Sequence, residues 1–79
     1  MKNSWNSIVF VKAHKGMPAA MSKMMGVEKM WSTSGEWDWC IKLDQSHSSP
    51  EQTEMFVNQL RMADWVSHTQ TSWWKEVNM

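Results

Sequence analysis

The chain has 79 residues, with eight basic and eight acidic side chains and a formal net charge of zero. That length has room for one domain, 1–79, without a helix-turn-helix. The only arginine is Arg61, which argues against direct nucleic-acid binding, because such binding relies on Lys and Arg at the phosphates. No apolar run approaches the roughly 20 residues that span a membrane. The start carries no secretory leader, so we expect a cytoplasmic protein.

Small size and aromatic content both predict an oligomer. A domain this short has a marginal core, and the lone cysteine, Cys40, cannot form an internal disulfide. Seven tryptophans, each offering about 150–250 Å² of surface, are difficult to hide inside one small monomer. At any one position, the alternative explanation for a tryptophan is a genome-wide preference for Trp and Met over Tyr and Leu.

The first predicted element is a strand over 7–13, rich in β-branched and aromatic residues. Ile8 and Phe10 face one side, and Val9 and Val11 face the other. Because both sides are apolar, both faces of the sheet should be covered, and one of them needs a partner.

A helix is expected next, over 17–25. Pro18 suits a first helical turn, the segment has Met17, Met21, Met24 and Met25 at helical spacing, and Gly26 ends it. Strands over 27–33 and 37–44 come after it, joined by a turn at 34–36. In the second of these strands Trp37, Trp39 and the apolar residues that follow alternate with polar ones, which predicts a single apolar face.

The last two elements are a helix beginning at Ser49-Pro50 and a strand over 66–76. Ser49 is the predicted N-cap, and the helix is expected to turn Met55, Phe56, Gln59 and Leu60 inward. The order βαββαβ predicts an α+β, ferredoxin-like fold: a four-stranded antiparallel sheet of order 4-1-3-2 with two helices on one face. Of the adjacent Trp73 and Trp74, one should face the interior and the other an edge or partner.

Four stretches resemble the effector-binding C-terminal domain of the Lrp/AsnC transcriptional regulators. They are Ile8-Val9-Phe10-Val11-Lys12, Gly26-Val27, Ser34-Gly35-Glu36-Trp37-Asp38 and 66–77. The resemblance implies a dimer whose sheets pack face to face as an α/β barrel, with tetramers or octamers as further assemblies. It also implies that an amino acid or related effector binds between dimers. The ligand would then be reported through oligomer state or through association with a helix-turn-helix regulator.

The resemblance carries the effector site onto seven residues: Ser34, Gly35, Glu36, Trp37, Asp38, Thr69 and Thr71. The turn has a chemical rationale of its own, since Gly35 lets backbone N–H groups approach a carboxylate and Asp38 or Glu36 can pair with an ammonium group. Trp37 can pack over an apolar or cationic group. The alternative is an ordinary hairpin turn in which Asp38 caps nearby N–H groups.

No catalytic residue, metal site or cofactor is predicted. The chain's cysteine and three histidines, Cys40, His14, His47 and His68, show none of the close spacings of zinc sites. The leading hypothesis is therefore a stand-alone effector-binding and oligomerising module without enzyme activity. The alternatives are a dimeric α+β barrel enzyme of the monooxygenase or haem-degrading type, with a histidine as axial ligand, and a structural partner without a ligand.

Overall fold

The computed structural model describes residues 5–75, apart from the side chains at positions 20 and 22. Four strands are present: β1 (Trp5–Ala13), β2 (Val27–Ser32), β3 (Trp39–Leu43) and β4 (Val66–Lys75). One α-helix, α1 (Pro50–Arg61), precedes β4, and short 3₁₀ helices lie at Ala19–Lys23 and Gln45–His47. The predicted end of the last strand, at residue 76, lies outside the described residues.

The strands form one antiparallel sheet in the order β2-β3-β1-β4. Read from the other edge this is the predicted order 4-1-3-2, and the ferredoxin-like α+β fold is confirmed. β1 lies between β3 and β4, with Val9 opposite both Ile41 and Thr71. A strand in that position is hydrogen-bonded along both edges, which suits its run of β-branched and aromatic residues.

The first predicted helix is wrong in type and length. Only Ala19–Lys23 is helical, as a 3₁₀ turn, because Pro18 and Met24 on either side have extended ψ angles of 142° and 140°. Five residues are too few to offset the cost of nucleating an α-helix. Met21 is nevertheless buried in the core, with Met17 and Met24 packed beside it. One face of the sheet is therefore covered by one α-helix and one 3₁₀ turn, where two helices were predicted.

The start of α1 follows its sequence signals, but its inward face does not. Ser49 Oγ accepts a hydrogen bond from the Gln52 N–H at 3.3 Å, as an N-cap should. The buried residues are Thr53, Phe56, Val57 and Leu60. Two residues expected to face inward, Met55 and Gln59, are instead exposed. The helix is rotated so that Thr53 reaches the sheet, where its hydroxyl lies 2.8 Å from that of buried Ser7.

The core lies between α1 and the sheet. Val9, Val11, Ile41 and Leu43 supply the sheet side, and the helix, Met21 and Trp65 close it. A buried polar cluster ends this core near the start of β1, where the Ser7 N–H donates to Ser48 Oγ at 3.1 Å. Its buried hydroxyls are hydrogen-bonded, as stable interiors require. No helix among the described residues is long and apolar enough to cross a membrane.

Candidate functional site

The turn between β2 and β3 carries five of the predicted effector residues. Gly35 has the expected positive φ, 92°, and a side chain at that position would meet no atom within 4 Å. The turn is closed by a hydrogen bond from the Thr33 N–H to the Asp38 carbonyl at 3.0 Å. The Thr33 hydroxyl also donates to the Trp37 carbonyl. The backbone at Gly35 is therefore open on its side-chain side.

Asp38 joins this turn to the end of β1. Its backbone N–H donates to the Val11 carbonyl at 2.9 Å, and its Oδ2 accepts from the Ala13 N–H at 2.8 Å. The β1–β4 pairing is irregular between Lys12 and Ala13, so the carboxylate serves an N–H at a break in the strand register. One oxygen of the Asp38 carboxylate is thus already hydrogen-bonded to a residue distant in sequence, Ala13.

A cleft of about 400 Å³ opens beside Asp38. We call it the turn cleft, and define it by its lining: Ala13, His14, Lys15, Gly16, Met17, Ser32, Thr33, Asp38 and Trp39. It combines one carboxylate, one ammonium and one imidazole with the apolar surfaces of Met17 and Trp39. Such a mixture can hold a small molecule that carries both charges and an apolar group.

Lys15 is held only loosely at the rim of the turn cleft. Its Nζ lies 3.0 Å from Asp64 Oδ2, and both side chains are largely exposed. The hydrogen bond from Lys15 lowers the pKa of the Asp64 carboxyl below its ordinary value. Exposed pairs of this kind contribute little to stability. Lys15 can therefore exchange Asp64 for another carboxylate at small cost.

The predicted effector residues do not all meet. Only Asp38 lines the turn cleft, while Ser34, Gly35 and Glu36 are exposed at the tip of the turn. Thr69 and Thr71 lie on β4, two strands from β3. Thr69 Oγ1 accepts from Arg61 Nε at 3.3 Å, and Thr71 lines a separate groove of about 360 Å³ along α1.

The prediction for Trp37 is wrong: it does not lie on the same face of the sheet as Trp39, Ile41 and Leu43. β3 begins only at Trp39, so the alternation that fits Trp39, Ile41 and Leu43 does not extend back to Trp37. Its ring centroid lies 6.1 Å from that of Phe10, on the side of the sheet away from α1. Sequence reasoning missed His14, Lys15 and Ser32 at the cleft. The pairing of β3 with β1 brings His14 and Lys15 beside Asp38, and its pairing with β2 brings Ser32 there.

The sheet face away from α1 is the second region of interest, here called the open face. Its apolar members are Ile8, Phe10, Trp31, Trp37, Cys40 and Trp74, placed there by the strand register or by ring contact. Phe10 is central, with its centroid 6.1 Å from each of Trp37 and Trp74. Within residues 5–75 no further layer covers these rings.

Burial on the open face is uneven. Ile8 and Cys40 are almost fully buried, whereas Trp31 and Trp74 remain about half exposed. Burial raises the pKa of the Cys40 thiol. Trp31 and Trp74 line a groove of about 240 Å³ whose other walls include Ile8 and Lys42. The Lys42 ammonium is 3.5 Å from Glu28, so the face also carries charges of both signs.

The adjacent tryptophans on β4 point to opposite faces, as predicted. Trp74 lies on the open face against Phe10. Trp73 lies on the α1 side, where its indole N–H donates to the Ser48 carbonyl at 2.8 Å. Trp73 is therefore held in the fold by a hydrogen bond, whereas the indole N–H of Trp74 donates to no described residue.

Two solved structures share this architecture. The crystal structure of FFRP-DM1, a feast/famine regulatory protein, matches with a TM-score of 0.69 at 15% identity, over 89% of this chain and 97% of that chain. A hypothetical protein from Pyrococcus horikoshii, PHS023, matches with a TM-score of 0.68 at 15% identity, over 89% of this chain and 88% of that chain. No protein-family model and no curated sequence matches the chain. The shared fold is consistent with the Lrp/AsnC resemblance; membership in that family stays a prediction.

Proposed function

We propose that the chain is an oligomerising module that binds a small amino-acid-like ligand and acts through association, not catalysis. The observation that carries the association is the open face. Half-exposed aromatic rings there surround buried Ile8 and Cys40, and no second layer lies over them among the described residues. A second copy packed sheet to sheet would cover these rings and form a dimeric α/β barrel.

The chemistry of the open face suits a second copy of itself. A two-fold interface brings the same patch together from both subunits, so it must be self-complementary. Trp31 and Trp74 flank a groove that a partner's aromatic ring can enter. The Lys42–Glu28 pair provides both charges at the same surface. Aromatic residues at the centre of an interface typically dominate its binding energy.

The turn cleft supports the ligand part of the proposal. An amino acid carries an ammonium, a carboxylate and a side chain, and the cleft offers Asp38, Lys15 and an apolar wall formed by Met17 and Trp39. Asp38 Oδ2 already accepts from Ala13, so an ammonium group would bind through the other oxygen. Because Asp38 also fixes the end of β1, ligand binding there can affect the sheet directly.

A regulatory setting is favoured by the fold shared with a feast/famine regulatory protein. In that setting the module would report its ligand through assembly into tetramers or octamers, or through a helix-turn-helix regulator as partner. Catalysis is not part of the proposal, because the Asp38 carboxylate is engaged with backbone N–H and the Cys40 thiol lies on the open face, away from the turn cleft.

Sedimentation equilibrium over a concentration series tests the association, with and without a pool of amino acids. We expect a dimer at micromolar concentration and a shift toward larger assemblies with one of the amino acids. A monomer throughout the series would contradict the association. A dimer whose size does not change with any amino acid would support the association and contradict the binding of an amino-acid ligand.

The cleft is tested by a matched pair of variants in one turn. Asp38→Asn keeps a carbonyl oxygen for the Ala13 N–H and removes the charge, so we expect the amino acid that acts in sedimentation to bind at least about tenfold more weakly, a change of about 1.4 kcal/mol. Glu36→Gln removes a charge from the exposed tip of the same turn and should leave binding unchanged. Calorimetric titration measures both. Equal losses in the two variants would assign the effect to general electrostatics.

A further inference from the structure

A third cleft lies apart from both the turn cleft and the open face. It is formed where the turn before β2, the 3₁₀ helix Gln45–His47 and the outer flank of α1 meet, and its volume is about 200 Å³. We call it the methionine cleft, after two of its lining residues. The full lining is Met25, His47, Gln52, Met55, Phe56 and Gln59.

One ring nitrogen of His47 is fixed by its neighbours. Nδ1 lies 2.8 Å from Asp44 Oδ1, and the same carboxylate oxygen accepts from the His47 backbone N–H at 3.0 Å. Since an ionised carboxylate can only accept, the proton of the neutral ring must be on Nδ1. Nε2 then carries the lone pair. No described residue is hydrogen-bonded to Nε2.

The ring of His47 is also held from behind. It lies against the backbone of Gly26, where an added Cβ would come within 3.0 Å of the ring Cγ. Gly26 has a φ of 98°, and the Asp44 N–H donates to its carbonyl at 2.9 Å. Asp44 and Gly26 together therefore fix the orientation of the imidazole before any ligand arrives.

Two methionines from different segments line the same cleft as this imidazole. Met25 is 80% exposed, and Met55 is 58% exposed. Single exposed apolar residues are common on protein surfaces. Here, however, two flexible thioethers line the same small cleft as an imidazole whose free nitrogen is an acceptor. The rotation of α1 that brought Thr53 inward is what turned Met55 to this side.

We propose that the methionine cleft binds a soft monovalent cation, Cu(I), through Nε2 of His47 and the sulfur atoms of Met25 and Met55. Thioether and imidazole ligands together favour Cu(I) over harder ions. The Asp44 carboxylate on Nδ1 acts as the outer partner that a metal-bound histidine usually has. Zinc is disfavoured, because no group of three or more His, Cys, Asp or Glu residues suited to it occurs between residues 5 and 75.

This inference departs from the sequence, where His47 was set aside because it lacks a zinc-type spacing. Met25, His47 and Met55 lie 22 and eight residues apart, which matches no short motif. Only the packing of the turn, the 3₁₀ helix and α1 brings the three together.

The test is a Cu(I) titration under anaerobic, reducing conditions against a competing chelator, with Ag(I) as a redox-inert probe. It is run in a Cys40→Val background, because the thiol is itself a strong soft ligand. We expect one equivalent of metal to be bound. Met25→Leu with Met55→Leu, or His47→Gln, should abolish that binding, and Asp44→Asn should weaken it about 10- to 100-fold. Unchanged affinity in the double leucine variant would overturn the proposal.

A second readout works on the natural sequence and does not depend on any variant folding. With ¹³C-methyl labelling of the nine methionines, Ag(I) should shift the signals of Met25 and Met55 and leave Met62 unchanged. Met62 is a matched control because it is 85% exposed and lies outside the cleft. Equal shifts at Met62 would mean that exposed thioethers bind the ion without a site. Met62→Leu should likewise leave the affinity unchanged.

Discussion

The two faces of the sheet carry comparable apolar residues but are covered in different ways. On the α1 side, Val9, Ile41 and Leu43 are sealed by the helix, Met21 and Trp65. On the open face, Ile8 and Cys40 are buried among side chains of the sheet itself, and the aromatic rings there stay partly exposed. The first face is complete within one chain, and the second has the character of an interface. The α1 side of the sheet therefore stabilises the fold, and we propose that the open face mediates association.

The largest expected effect is on the α1 side of the sheet. Leu60 is buried between α1 and the sheet, so Leu60→Ala should lower the free energy of unfolding by about 2–5 kcal/mol. Urea denaturation monitored by circular dichroism measures it. The loss should be the same at every protein concentration at which the variant is monomeric. A change below about 1 kcal/mol would mean that α1 contributes little to the core.

A smaller effect, confined to association, is expected from the open face. Trp74→Lys removes a ring that contacts Phe10 and should weaken the dimer by about 2 kcal/mol, as loss of a central aromatic does. Trp5→Lys is the control, because Trp5 is 55% exposed and Trp74 52%, but Trp5 lies at the end of β1 on the other side. Sedimentation compares them. Equal loss of dimer in both variants would place the interface elsewhere.

The smallest expected change leaves stability untouched and concerns Cys40. Burial raises the pKa of its thiol, so less thiolate is present near neutral pH and alkylation should be slow in the folded chain. Because Cys40 belongs to the open face, a second copy would cover it further. The labelling rate should therefore fall as protein concentration rises. A rate independent of concentration would argue against contact over the centre of this face.

Much of the fold was predictable because its signals are local. The N-cap at Ser49 and Pro50, the positive φ at Gly35 and the strand alternation of Trp39 and Ile41 each act over a few residues. The order of the elements predicted that β1 is a central strand, and this is confirmed. The apolar residues on both faces of β1 predicted that both faces of the sheet are covered, and the partner of the open face stays a prediction. The opposite orientations of Trp73 and Trp74 follow from strand geometry alone.

The failures have tertiary causes. The methionines of segment 17–25 have helical spacing, yet the segment forms only a short 3₁₀ helix. The extended backbone at Pro18 and Met24 ends this helix on both sides. Met55 and Gln59 were expected inward, but packing Thr53 against Ser7 fixes a different rotation of α1. Trp37 was assigned to β3, and it precedes the strand and packs on Phe10 instead.

The candidate sites likewise depend partly on local sequence signals and partly on tertiary packing. The sequence by itself determined the four strands, the helix α1, their order and the turn that bears Asp38, because capping, turn chemistry and period-two patterning act between near neighbours. Only the tertiary structure decided that Asp38 would accept a hydrogen bond from Ala13 and share a cleft with Lys15, and that Met25 would share a cleft with His47 and Met55. Those groups are distant in the chain, and their approach depends on strand register and helix rotation. Register and rotation are set by the whole core, so no short motif encodes them.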